Sequence, residues 1–498
     1  MTDVGNVIES GANGRLLTAR EDLSALLTAA TGEPKVVLHF HGGLVDREAG
    51  LAISARLGAV YRDAGAFPIT FVWHSGLMEV LSGNLRQIAQ EQLFRKLRTK
   101  VLKYAVGRLE EAAGLKAGLG PAPPPPESQV EEELRLALEE EEEEREPYAD
   151  LTGEPDEAAD AAAAQSLERE LRGDPVVQGV VAAVVLDEGD VADVDGGTRG
   201  LGVTPVAPGS LDGDIRTAIV DDNQDAGERG LLSTAALVKK AVEVFLKVLQ
   251  RFRAHTDHGV YVTVVEELMR ALYAASVGAA VWSAMKGETE DTFKLDAQER
   301  AGHAFVEDFA RMLADGVRPE LTLVGHSTGA VFIVNLLEAL DQKRADPEHP
   351  LPADFTVKHV VFLAPALRSD LFAGTLQRHA SLVEDFRMFS MSDEAERADR
   401  LVGPVYPRSL LYLVSGLLET DQDGKSAVVP IVGLQRWCDG VRATTPELQA
   451  VKSYIEEPGH VVWSPAGGSL GFSSAATTHS GFDDDDEVLA SVKHLIQN

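Results

Sequence analysis

The sequence Leu321-Thr-Leu-Val-Gly-His-Ser-Thr-Gly-Ala330 passes from an apolar, β-prone run into a turn in which glycines flank a serine. A helical apolar pattern follows at once, so a buried strand, a sharp turn and a helix are predicted, with Ser327 at the tip. Gly325 and Gly329 must be glycine, because a Cβ there would collide with the neighbouring strand or helix. The Ser327 hydroxyl would project above the sheet as a nucleophile, and the Thr328 N–H would face the oxygen it attacks.

A second G-x-S-x-G sequence, Gly467-Gly-Ser-Leu-Gly471, has no strand pattern before it and no helix pattern after it. We interpret it as a loop. Ser327 is therefore the candidate nucleophile because of its context, and an ordinary serine in a tight turn is the alternative.

A second glycine turn, His41-Gly42-Gly43-Leu44, follows directly on the six-residue β-prone run Lys35–Phe40. Glycines just after a sheet strand let backbone N–H groups point into a cavity, where they can bind a developing oxyanion. Gly43, or alternatively Leu44, is thus a candidate donor beside Thr328, and Gly42 is a structural glycine of the same turn. Taken alone, the pattern fits an ordinary strand–helix turn equally well.

Strand and helix patterns alternate along much of the chain. Further strands are predicted at 67–73, 356–363, 386–391 and 461–463, and helices at 16–31, 48–64, 77–109, 231–255, 263–285, 296–314 and 488–496. Such alternation is typical of βαβ units, so an α/β fold with a mostly parallel sheet flanked by helices is expected.

The composition indicates a large insertion in this fold. Residues 1–110 and 300–498 carry the α/β pattern, and 111–299 are interpreted as a helical insertion or cap. Within it, 118–173 is rich in Pro, Glu and Ala, includes six consecutive glutamates at 139–144, and is predicted to be disordered. A solvated segment is the simplest interpretation, and a basic protein partner or divalent cations are the alternatives. The basic face of the predicted helix 77–109 is either solvated or a docking face for this acidic tract.

The charge and the cysteine content restrict the function classes. With 46 Lys and Arg against 79 Asp and Glu, the net charge is −33, which argues against nucleic acid and anionic membranes as electrostatic partners. Cys438 is the single cysteine, so no intrachain disulfide forms and a reducing compartment is indicated. No targeting signal is found at the N-terminus, and the longest uncharged apolar run, 271–285, is too short to span a bilayer. A cytoplasmic protein is expected.

A nucleophilic serine needs an imidazole to take its proton and a carboxylate to orient that imidazole. Asp393 follows the predicted strand 386–391, at the sheet end where catalytic groups gather, and His479 precedes the closing helix. Glu394 is the main alternative acid, because strand ends are uncertain by a residue or two, and Asp399 is a weaker one.

Two further histidines are considered. His460 competes with His479 as the base but precedes a strand-like run instead of the final helix. His326, inside the turn, is expected to point away from the site.

The sequence Gly325-His-Ser-Thr-Gly329, the His41-Gly42-Gly43 turn after a strand, and a late histidine before the final helix together resemble the α/β-hydrolase superfamily. The order serine, acid, histidine is also the order that this superfamily uses. The resemblance covers about residues 1–110 and 300–498. It implies Ser327 as nucleophile, His479 as base, Asp393 as acid, and the N–H groups of Thr328 and Gly43 or Leu44 as the oxyanion hole.

The resemblance also implies a function, namely a serine hydrolase that cleaves a carboxylic ester, such as a lipid or other acyl ester, without a cofactor or a metal. The alternatives are an inactive scaffold that recruits a partner through its acidic insertion, and an amidase or peptidase with the same residues. The insertion precedes the nucleophile, whereas superfamily caps commonly follow it. Asp483 to Asp486 are interpreted as helix capping, with a calcium site as the alternative.

Overall fold

The computed structural model describes residues 6–43, 45–73, 78–114, 156–188, 210–224, 232–273, 278–294, 299–314, 316, 318–421 and 427–498. The chain divides into two compact units. Unit 1 consists of Met1–Val80, Ala280–Leu401 and Arg408–Asn498, and unit 2 of Leu81–Ala279 and Val402–Pro407.

Unit 1 contains a seven-stranded parallel sheet with the strand order β1-β3-β2-β4-β5-β6-β7. The strands are β1 (Val7–Ser10), β2 (Lys35–Phe40), β3 (Phe67–Trp73), β4 (Glu320–His326), β5 (Val357–Leu363), β6 (Val383–Met391) and β7 (Val461–Ser464). The chain is therefore an α/β protein, and β4, which leads to Ser327, is the central strand.

The α-helices that precede β4 are α1 (Arg20–Thr31), α2 (Arg47–Asp63), α3 (Met78–Gln90), α4 (Gln92–Ala112), α5 (Glu157–Arg172), α6 (Pro175–Glu188), α7 (Gly213–Asp221), α8 (Ala235–Arg253), α9 (Val260–Leu272), α10 (Ala279–Asp291) and α11 (Ala301–Ala314). Those that follow it are α12 (Gly329–Arg344), α13 (Ser369–His379), α14 (Asp393–Ala398), α15 (Leu410–Leu413), α16 (Pro446–Ile455) and α17 (Asp486–Gln497).

The sheet of unit 1 has an apolar core on each face. On one face α1, α11, α12, α13 and α16 bury residues such as Phe305, Phe332 and Phe372. On the other face α2 and α17 bury residues such as Leu57 and Val492. Because both faces are covered, the central strands are almost continuously apolar, as expected for a buried parallel sheet.

Unit 2 joins helices from both sides of the acidic tract. Arg108 on α4 and Arg253 on α8 both bond to Asp160 of α5, with contacts of 2.9 and 2.6 Å, while Leu167 and Leu171 of α5 are fully buried. Lys100 and Lys103, on the predicted basic face of α4, also contact Glu170 of α5 at 2.5 and 3.7 Å. This face thus docks the described end of the acidic tract, one of the two predicted alternatives.

Helix α5 corrects the predicted disorder over the last part of 118–173. Residues 118–155 lie outside the described part of the chain, but Glu157–Arg172 is helical. The alanines of this segment favour a helix, its leucines one turn apart give it an apolar stripe, and Asp156 caps it by accepting from the Ala159 N–H. Helix α4, assigned to the core from sequence, lies in unit 2, and most of α10, assigned to the insertion, lies in unit 1.

The helix predicted over 263–285 corresponds to two helices, α9 and α10, and other element predictions are closer. The strands Lys35–Phe40 and Phe67–Trp73 have the predicted ends, whereas the helix predicted over 77–109 is two helices, broken where Glu91 takes an extended conformation. Asp485 caps α17 by accepting from the Val488 N–H at 2.9 Å, which confirms the capping interpretation for this aspartate.

Candidate active site

Ser327 lies in a strained turn between β4 and α12. Its φ is +54°, in the left-handed region that few non-glycine residues adopt. A Cβ on Gly325 would lie 2.6 Å from the Gly329 carbonyl oxygen, and one on Gly329 would lie 2.2 Å from the Phe40 carbonyl oxygen. The predicted need for both glycines is therefore confirmed, and the tight approach of strand and helix fixes the Ser327 side chain at the N-terminus of α12.

His479 is the second residue of the site. It begins the short 3-10 turn His479–Gly481, is 6% exposed, and its Nε2 lies 3.0 Å from Ser327 Oγ. When the serine hydroxyl donates to Nε2, the ring proton must be on Nδ1. Nδ1 is buried and has no hydrogen-bond partner among the described residues. The imidazole is thus placed to accept the serine proton, with its other nitrogen free to donate.

Burial, and after it the nearby His326, lowers the pKa of His479 well below its ordinary value. A lowered pKa keeps the ring neutral at pH 7, which is the form that can accept a proton.

His326 contacts His479 directly, which corrects the expectation that it points away. Its Nε2 lies 3.0 Å from the His479 carbonyl oxygen, and the two rings stack with centroids 5.4 Å apart. The carbonyl can only accept, so Nε2 carries a proton. His326 Nδ1 faces the buried Asp483 carboxylate at 3.9 Å, and Asp483 in turn approaches Arg56 at 3.6 Å. His326 therefore holds the backbone of the candidate base.

Among the candidate acids, Asp399 is the one bonded to His479. Its Oδ2 accepts the His479 backbone N–H at 3.0 Å, and it directly follows α14. Burial raises the pKa of Asp399, against the opposing effect of this hydrogen bond. A partly desolvated carboxylate beside the histidine gains most from a cation forming next to it.

Asp393 is committed to other partners. Its Oδ1 accepts the Tyr412 hydroxyl at 2.6 Å, and the same hydroxyl accepts from Arg436 at 2.7 Å. Burial disfavours the Asp393 carboxylate, but Arg436 and Tyr412 outweigh burial and lower its pKa. The two aspartates have different partners because they lie at opposite ends of α14: Asp393 is its first residue, whereas Asp399 follows its last turn. Glu394 is exposed on α14.

Glu396, between these two aspartates, is buried and was not considered from the sequence. Its carboxylate bonds to the Ser409 hydroxyl, and burial raises its pKa well above the ordinary value. A glutamate inside an acidic helical turn gives no sequence signal of such burial. His460 is excluded as the base, because it precedes β7 at the opposite end of the sheet and its Nδ1 lies 2.7 Å from the Tyr454 carbonyl oxygen.

The glycine turn after β2 lies against Ser327. A Cβ on Gly42 would be 3.5 Å from Ser327 Cβ, and one on Gly43 would be 2.6 Å from Thr328 Oγ1 and 2.4 Å from Met285 Sδ. The structure therefore brings together the predicted residues Gly42, Gly43, Ser327 and Thr328, whereas Leu44 lies outside the described residues. Met285 of α10 gave no signal in the sequence.

His41 orients the peptide between Gly42 and Gly43. Its Nε2 accepts the Trp73 N–H at 3.2 Å, so Nδ1 carries the ring proton and donates to the Gly42 carbonyl oxygen at 2.8 Å. In a trans peptide the C=O and the following N–H point in opposite directions, so the Gly43 N–H points away from His41. Within the described part of the chain, neither the Gly43 nor the Thr328 N–H donates a hydrogen bond. Two backbone donors next to the Ser327 turn are thus without a partner among the described residues.

The comparisons with known proteins identify no relative, since no family model, no curated protein and no solved structure matches this chain. In the described residues, no helix is long and apolar enough to cross a membrane. The same residues contain no group of three or more His, Cys, Asp or Glu side chains arranged to hold a metal ion.

Proposed function

We propose that this protein is a serine hydrolase that cleaves a carboxylic ester through an acyl-enzyme intermediate. The observation that carries the proposal is the 3.0 Å contact between Ser327 Oγ and His479 Nε2, made by a serine held at a φ of +54°. Strain of this kind costs about 1–3 kcal/mol and persists where the surrounding structure imposes it, most often at functional sites.

In the proposed reaction, Ser327 Oγ attacks the ester carbonyl carbon while its proton passes to His479 Nε2. The carbonyl π electrons move to the oxygen, and the resulting anion lies at the N–H groups of Gly43 and Thr328, at the positive end of the α12 dipole. Collapse of the tetrahedral intermediate breaks the bond to the alcohol oxygen, which takes the proton from His479. Water, activated by the same ring, then releases the carboxylic acid.

The proposed acid of this site is Asp399. It is tied to the backbone of His479, and the unpartnered Nδ1 of that histidine is the donor that a carboxylate orients in a catalytic triad. A small rotation of the aspartate or of the ring would let the same carboxylate accept the Nδ1 proton. Bonds to the catalytic histidine often tighten only when substrate is bound, so this geometry is compatible with the role.

The parallel sheet, with the serine after its central strand and the glycine turn after the neighbouring strand, supports an α/β-hydrolase fold for unit 1. Chain order supports it too, because Ser327, Asp399 and His479 follow one another as nucleophile, acid and base do in that superfamily. An ester is the proposed substrate because the alcohol oxygen of an ester leaves more readily than the nitrogen of an amide.

The test is covalent labelling of the purified protein with a fluorophosphonate, run beside Ser327→Ala, His479→Ala and Ser469→Ala. Ser469 is the matched control, since it lies in the second G-x-S-x-G sequence, in an exposed loop. We expect labelling to be lost in the first two variants and retained in the third. Hydrolysis of p-nitrophenyl acetate and butyrate should follow the same pattern. Equal labelling of Ser327→Ala and the wild type would refute the proposal, and an unlabelled, inactive wild type would favour the non-enzymatic scaffold.

A further inference from the structure

The Thr328 hydroxyl is buried and unpaired. Thr328 is 0% exposed, and its Oγ1 makes no hydrogen bond to any described residue. Leaving a buried hydroxyl without a partner costs about 1–3 kcal/mol, and nearly all buried polar groups are therefore paired. An unpaired hydroxyl in the residue after the candidate nucleophile needs an explanation.

Helix capping does not explain it. Threonine is common at the residue before a helix, where an extended backbone lets its oxygen accept a hydrogen bond from the first turn. Thr328 instead has φ −65° and ψ −17°, which are already helical, and its side chain accepts no such bond. Valine would fill the same space without an unpaired polar atom.

The location of the hydroxyl indicates its role. A Cβ on Gly43 would lie 2.6 Å from Thr328 Oγ1, so the hydroxyl borders the glycine turn that supplies one candidate oxyanion donor. The second candidate donor, the backbone N–H of Thr328 itself, belongs to the same residue. Gly43 and Thr328 therefore carry two amides and one hydroxyl next to the Ser327 turn, and none of the three donates to a described residue.

We propose that the Thr328 hydroxyl is a third donor of the oxyanion hole and thus a catalytic residue. This inference rests on the proposed serine-hydrolase function. The hydroxyl would donate to the carbonyl oxygen once the attack of Ser327 has moved the π electrons onto it. The bond is stronger to the charged oxygen than to the neutral ester carbonyl, so it stabilises the transition state more than the bound ester and acts on kcat more than on KM.

The test uses Thr328→Val, which removes the hydroxyl and keeps the branched shape, and Thr328→Ser, which keeps the hydroxyl. Single oxyanion donors are worth about 10²–10³ in kcat, and because two amides remain, we expect the valine variant to lose about 10–100-fold. With p-nitrophenyl butyrate its KM should stay within about threefold, because the uncharged ester gains little from this donor. The rate of fluorophosphonate labelling should fall in parallel, and serine should recover most of the loss.

A stability measurement separates this role from packing. Thr328→Val removes no ground-state hydrogen bond, so its unfolding midpoint in urea should equal or exceed that of the wild type. The proposal is overturned if the valine variant keeps kcat within twofold, or if the serine variant loses as much as the valine variant. The proposal is also overturned if the loss of kcat in the valine variant is accompanied by a lower unfolding midpoint, because lost stability would then explain the loss of activity. An inactive and unlabelled wild type would instead refute the hydrolase itself, so the two failures are distinguishable.

Discussion

Exchange of Asp399 for asparagine tests which aspartate acts with His479 in the proposed reaction. The variant keeps the shape of the side chain and an oxygen that can still accept the His479 N–H, which Asp399 Oδ2 accepts at 3.0 Å. It removes the negative charge, and it puts an NH₂ donor where the Nδ1 proton needs an acceptor. The variant therefore isolates the electrostatic and tautomeric contributions of the carboxylate.

The size of the effect follows from the positive charge that would form on His479 in the proposed reaction. Two unit charges about 4 Å apart attract each other by about 4 kcal/mol at an effective dielectric constant of about 20. Each 1.36 kcal/mol is a factor of ten in rate, so loss of the carboxylate should lower kcat by about 10²–10³. Stability should not fall. Burial raises the pKa of Asp399, so at neutral pH the carboxylate is less stable in the folded than in the unfolded protein. A neutral amide avoids this cost.

Asp393→Asn is the matched control, and the opposite pattern is expected. The Asp393 carboxylate has a lowered pKa, so at neutral pH its charge stabilises the fold through Arg436 and Tyr412, and that contribution is lost as pH falls through the lowered pKa. The side chain is 26% exposed, which limits the loss to about 1–2 kcal/mol of unfolding free energy. The kcat of the folded protein should change by less than about threefold, since Asp393 does not contact His479.

The assay is kcat for p-nitrophenyl butyrate at pH 8, with urea unfolding of each variant as the stability measurement. A large loss of kcat in Asp393→Asn with an unchanged Asp399→Asn would refute the assignment and restore the acid first expected from the sequence. Equal losses in both variants would show that the acidic turn acts as a unit and that the hydrogen bond to the backbone does not identify the acid.

Two further predictions concern the groups that surround the nucleophile and the base. His326→Gln keeps a donor for the His479 carbonyl. Burial is the main cause of the lowered pKa of His479, and the His326 ring, which this variant removes, is the second. The acid limb of kcat/KM should therefore move to higher pH in the variant, and an unmoved limb in a pH–rate profile would exclude this coupling. Gly43→Ala places a methyl group 2.6 Å from Thr328 Oγ1 and should abolish most fluorophosphonate labelling. In the control Gly42→Ala, the nearest atom to the new methyl group is 3.5 Å away, so less labelling should be lost. Equal losses of labelling in the two variants would contradict the geometry.

The strands could be predicted from the sequence because local chemistry fixes them. Lys35–Phe40 and Phe67–Trp73 are rich in β-branched and aromatic residues, glycine or proline lies within three residues of each end, and their ends are as predicted. The serine turn was also predictable, because few residues other than glycine allow the approaches at Gly325 and Gly329.

The acid could not be assigned in the same way. The end of β6 places several carboxylates at one edge of the sheet, but which one meets His479 depends on the length and direction of α14. That direction is fixed by partners distant in sequence, since Asp393 is held by Tyr412 and Glu396 by Ser409. Sequence patterns report local geometry and contain no record of such long-range pairings, so the nearest aspartate after the strand was favoured over the one beyond the helix.

Three departures from ordinary packing meet at the candidate site, and together they favour an enzyme over a scaffold. Ser327 has a strained φ of +54°, while Thr328 Oγ1 and His479 Nδ1 are buried without hydrogen-bond partners among the described residues. Each of these features costs about 1–3 kcal/mol. Glycine in place of Ser327, valine in place of Thr328 and an apolar residue in place of His479 would remove these costs without altering the fold. A scaffold gains nothing from them. In a hydrolase the three features would act together: the strained backbone exposes the nucleophile, the hydroxyl can donate to the oxyanion, and Nδ1 can donate to the acid. Each feature that is unfavourable in the resting protein would then become a favourable contact in the transition state.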